Sequence, residues 1–258
     1  MRSPVLVVAA NTYREVARDR MLHLLGALVT GFVLFSWVLG WLNPEDTDRA
    51  RTLVDFGLAG VNVFGLLMAV LMGSSLLRNE MERRTLYTVL SRDVTRTQFL
   101  AGKYLGLVAV FAMGLLLVAA ILVVYFSIFG AFPGLPLVVA VYGNLLEIAV
   151  LTAVSVLFGS FTSPALAAVG TVTLYLVGHK TETLLEYLEL TRNAALDLPF
   201  HAIYYAFPNL TDFNYRLAAS FGDAVPPGDV ALATAYAATW VAILLGIAAA
   251  VFRRRELP

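Results

Sequence analysis

Residues 104–130 read YLGLVAVFAMGLLLVAAILVVYFSIFG, a run of 27 residues without one charged side chain. A helix rises about 1.5 Å per residue, so about 20 apolar residues span the hydrocarbon core of a bilayer, which is about 30 Å thick. Inside that core every backbone N–H and C=O needs a partner within the protein, and a helix provides one. This stretch therefore predicts a transmembrane α-helix.

Five more apolar blocks accompany this stretch. The chain is 59% hydrophobic and 14% charged, with a mean hydropathy of +0.78, whereas a soluble domain carries about 25% charged residues. The predicted fold class is all-α, a single polytopic transmembrane domain over residues 1–258. Its six predicted spans are residues 22–42, 54–77, 104–130, 137–158, 164–178 and 230–252. The fifth is the shortest, and it starts at Pro164, a residue that suits the first turn of a helix.

The basic residues predict the orientation of these spans. With the N-terminus in the cytoplasm, 13 of the 18 Lys and Arg residues fall in cytoplasmic segments and 5 in external segments. Cytoplasmic loops of membrane proteins carry an excess of Lys and Arg. We therefore expect a multi-pass protein of the plasma membrane, the inner membrane in a bacterium, with both termini cytoplasmic.

Residues 1–21 precede the first span and predict an amphipathic helix. Val5, Val8, Ala9, Thr12 and Val16 share one helical face, and the opposite face is polar. This pattern is typical of a helix that lies in the membrane interface. A polar N-terminal tail without fixed structure is the alternative.

The segment 179–229 is longer than a connection between two spans requires. It combines helical spacing of leucines with a piece rich in Phe and Tyr, and aromatic residues are enriched at the membrane–water boundary. We expect short external helices between the fifth and sixth spans, lying against the outer leaflet or dipping into it.

Residues 78–103 form the longest cytoplasmic loop and the one with the most charges. The pattern predicts a helix that continues out of the second span, a break near residues 91–93, and a second short helix that leads into the third span. A solvated charged loop that merely follows the positive-inside rule is the alternative.

Glu147 is, in our interpretation, the single acid inside a span, and it lies near the middle of residues 137–158. A carboxyl group at that depth costs several kcal/mol, so we expect it to be neutral and to face a pathway, a subunit interface or a polar partner. Asn144 lies one turn earlier on the same face. Asn62, in the second span, is expected to hold two helices together. A purely structural hydrogen bond is the alternative role for Glu147.

The chain contains no cysteine, which excludes disulfides and thiol chemistry. Gly102–Lys103 lacks the earlier glycine and the following Ser or Thr of a phosphate-binding loop. We predict no catalytic residue, no metal site and no cofactor in this chain, and no nucleic-acid partner.

Three segments resemble the integral membrane subunit of ABC-2 type exporters. They are NTYREVARDRMLHLL at 11–25, LLRNEMERRTLYTVLSRDVTRTQFLAGKYLG at 76–106 and YYAFPNLTDFNYR at 204–216. Residues that match the family pattern of the second segment are Glu80 or Glu82, Thr85, Leu86, Leu90, Ser91, Arg96, Gly102 and Lys103. Arg84 stands where glycine is usual, and Asp93 lies where proline is common. Within the family the chain looks most like the permeases of copper-enzyme maturation and gliding-type systems.

The resemblance implies a non-catalytic permease. Two permease copies, or one copy and a paralogue, would form a pathway across the bilayer, and two separate ATPase subunits that bind ATP and Mg²⁺ would dock beneath it. The loop 78–103 would be the coupling loop. The residues expected to couple to the ATPase are Glu80, Glu82, Arg83, Arg84, Thr85, Leu86, Tyr87 and Leu90.

Other functions remain open at this point. An ion-coupled secondary transporter would favour internal repeats and several buried charges. An intramembrane enzyme would need a nucleophile and a base within the spans. A membrane subunit that binds partners without transport is a further alternative.

Overall fold

The computed structural model describes residues 3–42, 45–82, 95–181, 183, 186 and 194–254. Every regular element within these ranges is helical, and no strand is found there. The α-helices are α1 Pro4–Val16, α2 Arg20–Trp41, α3 Asp46–Glu82, α4 Arg96–Ile128, α5 Leu135–Gly159, α6 Pro164–Gly178, α7 Ala194–Ala206, α8 Arg216–Phe221 and α9 Pro227–Arg254. The predicted class, a helical polytopic membrane protein, is confirmed.

Five of these helices are long and apolar enough to cross a membrane: α2, α3, α4, α5 and α9. The helix α6 is also apolar but has only 15 residues. It is about 22 Å long, less than the hydrocarbon thickness of about 30 Å. The helix α6 alone is therefore too short for the sixth crossing that the sequence predicted.

Local signals in the sequence set several helix ends. Thr95 and Gln98 form a capping box at the start of α4, which pairs two N–H groups that the helix itself leaves free. Asp19 caps α2, and Ser163 with Pro164 begins α6. Gly134, with a φ of 74°, precedes α5 in a backbone conformation that a side chain would disfavour.

The helices α3 and α5 form the centre of the bundle. They pack against each other, and α2, α4, α6, α8 and α9 surround them. Two glycines of α3 allow this contact, because a Cβ at Gly65 would lie 2.5 Å from Ile148 and one at Gly73 would lie 2.8 Å from Ser155. The helix α2 lies at the edge, with most of its surface exposed.

The helix α1 packs against the start of α4. A Cβ at Gly102 would lie 2.7 Å from Val8, and one at Gly106 would lie 2.6 Å from Thr12. Since the contacts advance by four residues on both helices, the two helices run side by side in the same direction. The apolar face that the sequence suggested for the membrane interface is thus covered by α4. The two helices can approach closely because Gly102 and Gly106 of α4 have no side chain at the contact.

Charged residues at the start of α4 tie this end of the bundle together. Arg96 donates to the carbonyl oxygens of Phe252 and Arg253 at 3.2 and 3.3 Å, which have no partner within the last turn of α9. The buried Lys103 ammonium lies 3.5 Å from Glu15 on α1. The start of α4 therefore contacts the end of α9 through Arg96 and, about two turns further on, α1 through Lys103.

Candidate functional site: a buried polar cluster in the middle of the bundle

The polar cluster has its centre at Glu147, whose side chain is 4% exposed. Oε1 of Glu147 lies 3.5 Å from Nε2 of His179, the residue that directly follows α6. Neither that Nε2 nor Oε2 of Glu147 has a hydrogen-bond partner among the described residues. Two polar groups that face each other without another partner are costly in an apolar bundle.

The lengths of α5 and α6 explain why these residues meet. The two helices are joined by the turn of residues 160–163. From that turn, α5 rises about 18 Å to Glu147 and α6 rises about 21 Å to Gly178. The end of α6 therefore lies beside the middle of α5, and His179 reaches the carboxyl group.

The hydrogen bond made by the other ring nitrogen of His179 indicates which of the two nitrogens carries the proton. Nδ1 lies 3.2 Å from the carbonyl oxygen of Tyr175, and a carbonyl only accepts, so we assign the proton to Nδ1. In the neutral ring Nε2 is then an acceptor that faces Glu147. A neutral Glu147 can donate to it, whereas burial disfavours the charged pair of carboxylate and imidazolium. The pair can share one proton.

Asn144 and Asn62 extend the cluster between α3 and α5. Nδ2 of Asn144 donates to Oδ1 of Asn62 at 3.0 Å. The sequence suggested Asn144 as one partner for Glu147, but its amide bonds to α3 instead. Further along α5, the buried hydroxyls of Thr152 and Ser155 continue the polar side of this helix.

A segment between α7 and α9 covers the cluster. We call residues 208–221 the cap segment. The N–H of Leu210 donates to the carbonyl of Gly178 at 3.1 Å, and the carbonyl of Phe213 lies so close to Gly143 that no side chain would fit there. The cap segment thus sits in the half of the bundle where α5 begins, one turn above Glu147.

Hydrogen bonds hold the cap segment in place. The hydroxyl of Tyr236 accepts from the N–H of Asn209 at 2.8 Å, and Oδ1 of Asn209 accepts from the hydroxyl of Thr181 at 3.2 Å. Burial, and after it the carboxylates of Asp229 and Asp212, raise the pKa of Tyr215. Its phenol therefore stays neutral at physiological pH and can donate a hydrogen bond.

An ion pair joins the cap segment to α3. Nε of Arg216 lies 2.8 Å from Oδ1 of Asp55, and both side chains are about one-third exposed. Asp55 lies within the apolar stretch Asp48–Leu76 of α3. The interpretation of Glu147 as the single acid inside a span was therefore wrong. Asp55 is tolerated there because a cation from the cap segment faces it.

Two coupling residues of the sequence analysis, Glu80 and Glu82, lie at the opposite end of the bundle, in the last turns of α3. Arg83, Arg84, Thr85, Leu86, Tyr87 and Leu90 lie outside the described residues. The predicted short helix before the third span is the first part of α4, which runs without a break from Arg96.

The contact between Glu147 and His179 was not anticipated from the sequence, in which His179 directly follows the predicted fifth span 164–178. The length of that span could have indicated the contact, because 15 residues do not reach across the bilayer and the residue after them must lie at the depth of another helix. Within the described part of the chain, no group of three or more His, Asp or Glu side chains could hold a metal ion.

Comparison with known protein families gives one match. A family described as "ABC-2 family transporter protein" matches residues 2–257. No curated protein matches the chain. The match includes every helix described above and the cap segment.

Proposed function

Because the chain belongs to the ABC-2 family of transporter proteins, we propose that it is the permease subunit of an exporter driven by a separate ATPase. In this proposal two permease copies, or one copy and a paralogue, form the pathway, and an ATPase subunit docks on each. The observation that carries it is the family match over residues 2–257, in a chain whose long helices are suited to a membrane.

The lengths of α3 and α4 support an ATPase docking site on the loop 78–103. These helices have 37 and 33 residues, which makes them about 55 and 50 Å long. They exceed the hydrocarbon core by about 25 and 20 Å, and the loop joins the C-terminal end of α3 to the N-terminal end of α4. A loop on such a projection can reach a partner outside the membrane. Its Leu86, Tyr87 and Leu90 would be the apolar contacts, rimmed by the charged residues.

The contacts of Arg96 and Lys103 support transmission of a movement from that loop to the helices α1 and α9. Arg96 bonds to the end of α9, and Lys103 pairs with Glu15 of α1. A displacement of α4 by the ATPase would therefore move α1 and α9 with it. The orientation in this proposal rests on the distribution of basic residues, with the loop 78–103 and both termini in the cytoplasm and the cap segment on the outer side.

The polar cluster supports a pathway between α3, α5 and α6. Glu147, Asn144 and Asn62 lie at the meeting of these helices, beneath the cap segment. In the proposed exporter the cap segment closes the outer half of the pathway, and its displacement would give Glu147 access to the outer side.

An ion-coupled transporter is the second candidate, and one observation favours it. The pair of Glu147 and His179 can share a proton, and buried carboxylates and histidines pass protons in proton-coupled transporters. The described residues offer this pair alone for such a relay, whereas the family match points to ATP.

Isolation of the tagged chain from its own membrane in mild detergent separates the two candidates. We expect an ATP-hydrolysing polypeptide to be recovered with the chain in about equal amount. Recovery of a chain without any ATPase, together with transport that needs only a proton gradient, would favour the ion-coupled alternative.

A further inference from the structure

An apolar groove runs along the outside of the bundle, separate from the polar cluster. It is a cavity of about 470 Å³ between α1, α2 and α4, and Phe64 of α3 lies at its back. On one wall it extends along α2 from His23 to Val33, and on the other along α4 from Val110 to Ile121. It is partly open to the side on which lipid surrounds the protein.

Two glycines make the groove. A Cβ at Gly26 of α2 would find no atom within 4 Å, and one at Gly114 of α4 would find none closer than 3.7 Å. Neither glycine is therefore needed for close packing of helices, unlike Gly106 or Gly143. The space they leave is available to a molecule from outside the chain.

The length of the groove matches one leaflet of the bilayer. The 11 residues from His23 to Val33 rise about 15 Å, which is half of the hydrocarbon thickness of about 30 Å. The walls along this length are apolar except for His23 and Thr30, so they suit a hydrocarbon chain. A single acyl chain is thin enough to enter.

Basic residues lie in and beside the turn that joins α1 to α2. Tyr13 and His23 line the groove, and three exposed arginines lie nearby in the chain: Arg14 near the end of α1, Arg18 in the turn and Arg20 at the start of α2. Of the acids nearby, Glu15 lies 3.5 Å from Lys103, and Asp19 accepts the N–H of Met21 at the start of α2. None of the three arginines has an ion-pair partner in the described part of the chain.

We propose that this groove binds one acyl chain of an anionic phospholipid of the leaflet next to the N-terminus, with its phosphate held at Arg14, Arg18 and Arg20. The acyl chain exchanges one apolar environment for another, so its burial alone selects no lipid. The arginines select the headgroup, because basic residues at the membrane surface attract anionic lipids. The lipid would join α1 to α2 at the end of the bundle where Lys103 pairs with Glu15.

Native mass spectrometry of the purified full chain tests this proposal with phosphatidylglycerol and phosphatidylcholine as the two probes. We expect the wild type to retain phosphatidylglycerol several-fold better than phosphatidylcholine. Gly26→Leu should fill the groove and lower this retention about tenfold. Gly31→Leu is the matched control, because Gly31 lies on the same helix, also has no atom within 4 Å of an added Cβ, and does not line the groove; it should retain lipid as the wild type does.

Two further variants complete the experiment. Gly114→Leu fills the groove from the opposite wall, so the result does not depend on one variant that folds poorly. Replacing Arg14, Arg18 and Arg20 together by Gln should abolish the preference for phosphatidylglycerol and leave phosphatidylcholine retention unchanged. Unchanged phosphatidylglycerol retention in both filled variants would overturn the proposal. So would loss of a dimer in these variants without loss of lipid, which would assign the groove to a second copy.

Discussion

Oε1 of Glu147 lies 3.5 Å from Nε2 of His179, although the two residues come from different helices and from the middle of one and the end of the other. The arrangement follows from the short α6, which ends at the depth of Glu147. It gives a buried carboxyl group a partner that can accept or donate the same proton. This pair is the part of the candidate pathway that substitution can test most simply.

Glu147→Leu should impair transport or substrate-stimulated ATP hydrolysis far more than Glu147→Gln. Gln keeps a polar N–H group facing Nε2 of His179, whereas Leu removes the polar group nearest to that nitrogen, and a buried polar group without any partner costs about 1–3 kcal/mol. If Glu147 instead holds the structure together, Leu should lower the yield of the assembled complex. Normal assembly and normal activity of Glu147→Leu would exclude both roles.

A double-mutant cycle measures the interaction energy between Glu147 and His179 apart from their contacts with other residues. Removing both partners in Glu147→Leu with His179→Leu should destabilise the protein less than the sum of the single variants, by about 0.5–3 kcal/mol. The melting temperature of the detergent-solubilised chain measures this. Additive effects would mean that the two side chains do not interact.

The ion pair of Asp55 and Arg216 should hold the cap segment on α3. The chain has no cysteine, so a single Cys at Ala219, which is 1% exposed, reports on the cap segment by its rate of thiol labelling. Arg216→Ala should raise that rate severalfold, and the exchange Asp55→Arg with Arg216→Asp should restore slow labelling.

Leu217→Cys is the matched control for this experiment, since Leu217 is 63% exposed and should label quickly in every background. An Ala219→Cys labelling rate that stays low in Arg216→Ala would show that the hydrogen bonds of Asn209 hold the cap segment without the ion pair.

Gly106→Val should separate α1 from α4. An added side chain would meet Thr12 at 2.6 Å, and overpacking of this kind typically costs about 1–3 kcal/mol. Gly246→Val in α9, where a Cβ would meet nothing within 4 Å, is the control. We expect a lower melting temperature for Gly106→Val alone; equal melting temperatures would contradict the packing of α1 on α4.

Reporter fusions test the orientation. Fusions after Arg20, within residues 83–96 and after Arg255 should report the cytoplasm, and fusions at Asp48 and Glu189 should report the outside, because of the uneven distribution of basic residues. A cytoplasmic signal at Glu189 would mean that α6 and the chain after it do not cross the membrane.

The sequence predicted the helical class because apolar length is a local property. The helix α5, for example, extends from Leu135 to Gly159 around the predicted span 137–158, and Pro164 begins α6 as its position suggested. Neither feature depends on distant residues.

The polar contacts were not predicted, because they depend on how far each helix rises beside its neighbour. The pairing of Glu147 with His179 requires the length of α6 measured from the turn before it. The pairing of Asp55 with Arg216 requires a cap segment that enters the bundle, whereas the aromatic-rich composition had suggested short helices lying against the outer leaflet or dipping into it. Gly102 and Gly106 lie four residues apart, a spacing that permits close packing of helices, but only the structure identified α1 as the helix they contact.

The central claim is that a separate ATPase docks on the loop 78–103, and recovery of the ATPase with a coupling-loop variant tests it most directly. In Leu86→Asp with Tyr87→Ala, the proposed apolar contacts are lost, and truncation of such anchors often costs 2 kcal/mol or more. The variant should reach the membrane in normal amount but lose the co-purified ATPase, whereas Gly31→Leu, far from the loop, should keep it. ATPase recovery at the wild-type level by the double variant would contradict the assignment of the loop 78–103 as the docking site.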